Sequence, residues 1–228
     1  MRFRDWDDIP EFMQNDSVKM YYEILEKKRF SLKVKRFFDV MMSFVLIILL
    51  SPVFAVLSVW IKLDSKGPVF YRQERITQYG RKFRIFKFRT MVLNADQRGS
   101  LVTVRHDPRI TSVGEKIRKC RLDELPQLFN IFIGDMSFVG TRPEVSKYVD
   151  KYSDEMKATL LLPAGVTSEA SIRYKDEDRL LEEAEDLDAA YISKVLPEKM
   201  KWNLKYIKEI ELWKELQVMI RTVLSVGS

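Results

Sequence analysis

The longest uncharged run in the chain, Val40 to Ile61, extends over 22 residues between Asp39 and Lys62 and is strongly apolar. As a helix rising about 1.5 Å per residue it reaches about 30 Å, the thickness of a bilayer's hydrocarbon core. Two features complicate a straight crossing. Ser51-Pro52 falls in the middle, where proline removes a backbone hydrogen bond and bends a helix. Basic residues flank both ends, Lys33, Lys35 and Arg36 before the run and Lys62, Lys66, Arg72 and Arg75 after it, and such flanks stay on the cytoplasmic side. A helix that bends at Ser51-Pro52 and leaves by the leaflet it entered satisfies both observations. A kinked spanning helix satisfies only the first. The run begins too late, and lacks the small-residue cleavage site, to be a signal peptide.

Shorter elements follow from the remaining pattern. Val18 to Glu26 reads as a short helix within a lead-in, residues 1–34, suited to lying on a membrane surface. Gly67-Pro68 marks a turn, after which Val69–Arg72 and Phe83–Arg89 read as strands. Val113 to Lys119 reads as a helix, as does the stretch with Leu128, Phe129, Phe132 and Ile133 at helical spacing, which Gly134 ends. Val145 to Leu162 reads as one helix ending before Pro163, and Lys199–Ile210 and Trp213–Leu224 as two more. Trp202, Tyr206, Trp213, Met219 and Ile220 suit either a core or a lipid boundary. The expected fold is α/β, mostly helical with a small sheet. A lead-in (1–34) and a bent membrane helix (35–64) precede one compact domain (65–228) whose C-terminal helices are amphipathic.

Charge narrows the partners. The net charge is +6, yet Asp176 to Asp188 holds eight acidic residues against Arg179 alone, so the remainder is more basic than the whole. A basic body suits nucleic acid, anionic headgroups or a phosphorylated substrate. The aromatic and basic alternation from Phe83 to Arg89 could serve single-stranded nucleic acid, but its period fits a half-buried strand with a solvated basic face, and the apolar run disfavours nucleic acid further. The acidic stretch itself reads as a solvated helix and turn. With one cysteine, Cys120, and one histidine, His106 in a loop, neither a disulfide framework nor a zinc site is expected. Any metal would be a hard one bound by oxygen, which favours magnesium.

Candidate chemistry concentrates between Arg118 and Glu144. Asp123 and Glu124 are adjacent carboxylates with Arg118 and Arg121 on one side and Arg142 on the other, and such a pair needs cations or a metal to stay ionised. Pro126 fits a first helical turn, which puts the acids at a helix start. Gly140-Thr141-Arg142-Pro143 fits an anion-holding turn. An acidic cap on a surface helix with ordinary ion-pair partners explains the pair equally well.

Asp107-Pro108-Arg109-Ile110-Thr111, Leu122-Asp123-Glu124-Leu125-Pro126-Gln127-Leu128, Gly134-Asp135-Met136-Ser137 and Arg142-Pro143-Glu144 together resemble, in order, the words of the bacterial sugar transferases. These are the monotopic polyprenyl-phosphate phosphoglycosyl transferases that begin assembly of surface glycans. The resemblance covers Lys35 to Tyr174 strongly and the C-terminal helices loosely. It implies a re-entrant helix broken at Ser51-Pro52, residence at the bacterial inner membrane with the catalytic domain facing the cytoplasm, and contact with membrane lipid. It implies a two-step transfer, in which Asp123 attacks the β-phosphate of a UDP-sugar and releases UMP, then passes the phosphosugar to undecaprenyl phosphate. That is the first membrane step of capsule, exopolysaccharide, O-antigen or glycoprotein glycan synthesis. Glu124 would hold magnesium together with Asp123, or act as a base. Substrate contacts would come from Lys87, Arg89, Arg118, Arg142, Pro143, Thr167, and either Arg173 or Lys175. A homodimer is compatible with the resemblance. Thr77 stands where the family usually has glycine, and residues 163–175 depart from its pattern, so the sugar does not carry over. A membrane-anchored scaffold or binding protein with a structural acid pair is the competing class.

Overall fold

The computed structural model of the protein describes residues 3–95, 107–175 and 186–226. His106 and the acidic stretch up to residue 185 lie outside them. The described chain is mostly helical, with two two-stranded sheets.

Helix α1 (Asp16–Lys27) is started by Asn15, whose side chain accepts from the Val18 amide at 3.0 Å. It buries Val18, Tyr21, Tyr22 and Leu25, a stripe at helical spacing. These residues join Ile9, Met13, Tyr148, Leu161, Met200 and Ile207 in the larger core, and the Tyr21 hydroxyl donates to Glu155 at 2.6 Å. The segment expected to lie on a membrane is therefore part of the folded domain.

The long uncharged run forms α2 (Arg29–Leu49) and α3 (Ser51–Asp64), bent by 60° at Leu50. The break follows from local chemistry. Pro52 sits in the first turn of α3, where a missing N–H costs nothing, and the Ser51 hydroxyl donates back to the Ile48 carbonyl at 2.8 Å. Among the described residues no single helix is long and apolar enough to cross a membrane, although the bent pair together is. Phe37, Phe44, Ile48, Leu49, Val56 and Leu63 are exposed along the pair.

Strands β1 (Phe70–Ile76) and β2 (Lys82–Phe88) form an antiparallel hairpin pairing Phe70 with Phe88 and Ile76 with Lys82. The first strand is longer than its apolar start suggested. Phe83, Ile85 and Phe88 face a second core with Phe54, Leu57 and Ile61 of α3, so the half-buried strand is what forms. At the family's glycine position, the buried Thr77 hydroxyl donates to the Asp135 carbonyl at 2.6 Å and accepts from the Ala164 amide at 3.1 Å.

Helix α4 (Ser112–Lys119) is capped by Thr111. Helix α5 (Gln127–Ile133) follows the acid pair and ends at Gly134, whose φ of 98° only glycine adopts without strain. Asn130 clamps α5 to β2, accepting from the Phe86 amide at 2.8 Å and donating to the Arg84 carbonyl at 3.0 Å. Arg36 of α2 donates to the terminal carbonyls of Ile131 and Phe132 at 2.6 and 2.9 Å, which ties the bent pair to the same helix.

Strand β3 (Met136–Val139) pairs in parallel with β4 (Ala164–Thr167). Between them the single helix expected over Val145–Leu162 is broken into α6 (Ser146–Val149) and a 3-10 turn, Met156–Leu161. Thr159, Leu160, Leu161 and Leu162 are all buried, and four consecutive residues cannot share one helical face. The strands continue into a close backbone approach, where Gly140 donates to Thr167 at 3.0 Å and Gly165 to Thr141 at 2.8 Å. A Cβ on Gly165 would meet the Gly140 nitrogen at 2.2 Å. Gly165→Ala should therefore destabilise the protein by about 1–3 kcal/mol, seen as a lower thermal midpoint, by forcing this backbone apart.

The chain closes with α7 (Glu169–Arg173), α8 (Leu187–Ala190), a π-helical turn (Tyr191–Val195), α9 (Leu196–Lys208) and α10 (Leu212–Val226). The aromatic and apolar residues left open between core and boundary divide. Tyr206 is tied inward, donating to Glu215 and to the Val139 carbonyl, whereas Trp213 and Ile220 are exposed. Lys35 of α2 pairs with Glu215 of α10 at 2.6 Å, both side chains buried, and donates to the Val139 carbonyl at 3.2 Å.

Candidate active site

Arg121 takes a left-handed conformation (φ 55°), uncommon for a non-glycine residue, and turns the chain out of α4 into a 3-10 turn, Leu122–Glu124. The acid pair thus sits on that turn, just ahead of Pro126 and α5. The two carboxylates are treated unequally. Glu124 Oε1 accepts from Lys87 Nζ at 3.0 Å and from Arg142 Nη2 at 2.5 Å, and Oε2 from Arg142 Nη1 at 3.4 Å. Burial alone would raise its pKa, but Arg142 and Lys87 hold it well below the usual carboxylate range. Asp123 makes no hydrogen bond or ion pair among the described residues and is 9% exposed. Burial raises its pKa, with a smaller push from Glu124, against the pull of Lys87, Arg118 and Arg121. One acid is a fixed anion within a cation clamp; its neighbour is held ready with its oxygens uncommitted.

Lys87 is brought to the pair by β2 and Arg142 by the loop after β3. Burial and Arg142 lower the Lys87 pKa, and the two acids oppose that shift. Beside the pair opens a cleft of about 720 Å³, within the range of small-ligand sites. Arg118, Arg121, Arg142 and Lys175 line it, with Pro143 and Thr167, and so do the apolar residues Leu46, Leu50, Phe138, Val166 and Met219. The Thr167 hydroxyl is shared with Thr222 at 2.6 Å, which ties α10 to the wall.

Two expected contacts fall elsewhere. Arg89 is buried off the cleft and donates to the carbonyls of Ser65 and Lys66 at 2.8 and 2.6 Å, because the end of α3 leaves carbonyls that need donors. Arg173 bonds Glu169 at 2.8 Å and lies over the Trp202 ring at 3.9 Å, so Lys175 is the member of that pair on the cleft.

The structure adds residues that spacing did not single out. Arg75 donates to the Pro143 carbonyl at 3.3 Å, while Glu144 accepts from the Tyr191 hydroxyl, itself bonded by Lys199 at 3.2 Å. Arg75 lies in Gln-Glu-Arg-Ile, a word already visible in the chain. Tyr191 and Lys199 arrive from far along the sequence and carried no local signal. Among the described residues no group of three or more His, Cys, Asp or Glu could hold a metal alone. Two adjacent carboxylates do fit magnesium when phosphate oxygens complete its shell, as this ion prefers.

The Aeromonas hydrophila UDP-N-acetylgalactosamine-undecaprenyl-phosphate N-acetylgalactosaminephosphotransferase is 35% identical over 193 residues, 83% of this chain and 43% of that protein. The UDP-glucose:undecaprenyl-phosphate glucose-1-phosphate transferases of Caulobacter vibrioides and Klebsiella pneumoniae are 34% and 32% identical, each over 83% of this chain. The chain spans 68% of the Caulobacter protein but less than half of the Aeromonas and Klebsiella ones, at 43% and 39%. The profile described as bacterial sugar transferase matches residues 30–228, which takes in the bent helix pair, the acid pair and the cleft. The chain belongs to the bacterial sugar transferase family.

Proposed function

We propose that this protein is a phosphoglycosyl transferase that moves a sugar phosphate from a UDP-sugar to undecaprenyl phosphate. The observation that carries the reading is the unequal acid pair, an uncommitted Asp123 beside a clamped Glu124, at the edge of a cation-lined cleft. A carboxylate oxygen of Asp123 attacks the β-phosphorus of the donor; the bond from that phosphorus to the bridging oxygen breaks, and UMP leaves with the electron pair. An oxygen of the acceptor phosphate then attacks the same phosphorus, and the aspartyl P–O bond breaks to restore the carboxylate. Splitting one transfer into two is what a covalent nucleophile contributes. Lys87 and Arg142 hold Glu124 still, while Arg118 and Arg121 offer positive charge to the phosphoryl oxygens. Magnesium held by Asp123, Glu124 and the donor diphosphate would add further charge there.

The relatives' names supply the substrate classes, a UDP-sugar and undecaprenyl phosphate, and place no constraint on which sugar this chain takes. The purified protein with magnesium and a panel of UDP-sugars should release UMP in the presence of undecaprenyl phosphate. Release of UDP instead would mark ordinary glycosyl transfer and overturn the proposal.

We further propose that the bent pair enters and leaves one leaflet, with the cleft at the cytoplasmic face of the inner membrane. The exposed apolar side chains on both arms, the 60° bend and the basic flanks support this. In a Cys120→Ser background, single cysteines placed before Val40 and after Ile61 should react from the same face. Reaction from opposite faces would indicate a broken span.

A further inference from the structure

Gln127 is 1% exposed, and among the described residues neither its Oε1 nor its Nε2 has a hydrogen-bond partner. An amide buried this way destabilises a fold unless something occupies it, so it calls for an explanation. It stands three residues after Glu124, and with Ile131, one turn on, it lines the cleft. The cleft is also lined by Leu46 and Leu50, at the break between α2 and α3, by Phe138 of β3, and by Met219 of α10. Ile48, Leu49 and Val53, beside the break, are exposed. The lining is therefore of two kinds, apolar side chains from the bent pair, β3 and α10 and cations that accompany the acids, with one orphaned amide in the same wall. A nucleotide sugar, polar throughout, gains nothing from the apolar lining. An amphiphile with a single anionic end matches both kinds.

We propose that this part-apolar cleft seats the acceptor. The Gln127 amide bonds its phosphate, and Leu46, Leu50, Phe138 and Met219 pack on its first isoprenoid units; this rests on the phosphoglycosyl transferase reading above. An ordered water is the competing occupant.

The two half-reactions separate the possibilities. Exchange of labelled UMP into the UDP-sugar needs no acceptor, whereas full turnover does. Gln127→Leu should raise the KM for undecaprenyl phosphate about tenfold, as loss of a hydrogen bond to a charged group does, while the exchange rate changes far less. Met219→Trp, on α10, should give the same split by filling space among the apolar lining residues, and it covers the case in which Gln127→Leu does not fold. An unchanged acceptor KM with a higher thermal midpoint in Gln127→Leu is the mark of a water-filled pocket and overturns the inference. Equal losses in exchange and in turnover also overturn it, because the residue then serves the donor or the fold. Either result leaves the transferase reading standing; a wild-type protein that shows no exchange at all overturns both.

Discussion

Asp123→Asn should abolish UMP release, by on the order of 10⁴-fold or more, and yet yield a protein that melts higher than wild type when magnesium is chelated. Both effects come from the same carboxylate. An amide has no anionic oxygen to attack phosphorus, so the covalent route closes. Burial raises the Asp123 pKa in the folded state, so the ionised form is disfavoured there. A carboxyl with a raised folded pKa contributes stability that is present below its unfolded value and lost as pH rises through the folded one. At neutral pH it is therefore a cost, and removing the charge should raise the midpoint by about 2–4 °C for each kcal/mol recovered. Catalysis has the opposite dependence. Single-turnover UMP release should fall as pH drops through the raised Asp123 value, while Glu124, held well below the usual range, stays ionised. A melting point that drops on Asp123→Asn would show that the carboxylate is a structural anion, as in the competing scaffold class.

Lys35→Met should be the most damaging single change outside the acid pair. The Lys35–Glu215 pair joins α2 to α10 with side chains only 3% and 9% exposed. Removing the cation leaves a buried carboxylate uncompensated, a loss of about 3–5 kcal/mol, or roughly 6–20 °C in thermal midpoint for a chain of this size. Burial already raises the Glu215 pKa against the pull of Lys35 and the Tyr206 hydroxyl. Without Lys35 it rises further, so the deficit should shrink in mildly acidic buffer, where Glu215 takes up a proton. Adding Glu215→Leu should recover much of the loss, because a matched apolar pair has no charge to strand. A deficit that persists in the double variant and at acid pH would mean that lost packing, not the stranded charge, is responsible.

The site was legible in the sequence wherever its chemistry was local. Asp123, Glu124 and Arg142 lie within one stretch of words, and Lys87 came with them through the family resemblance, since alternation marked only the strand that carries it. Arg89, carried over by the resemblance, falls elsewhere because the carbonyls of Ser65 and Lys66, just after α3, capture it. The helix expected over Val145–Leu162 failed for a related reason. Composition favoured a helix, but burying Thr159 to Leu162 together requires a tighter winding that propensity does not encode. Residues 3–27 gave no hint that they belong to the core, since much of the cluster that Tyr21 and Leu25 join, Tyr148, Leu161, Met200 and Ile207 among it, comes from far along the chain. Gln127 was visible inside a quoted word, but its lack of partners is a property of three dimensions.

The bond between Tyr21 and Glu155 closes a loop of 134 residues, and the bent pair lies inside that loop. At ribosomal speeds of about 5–20 residues per second, roughly 7–27 s separate the synthesis of its two ends. The helices that the bilayer would receive are thus complete long before α1 can find its partners in the C-terminal half. If the pair inserts as proposed, the domain would close over an anchor already in place, and the last steps of folding would take place on the membrane, with the surrounding lipid as their template.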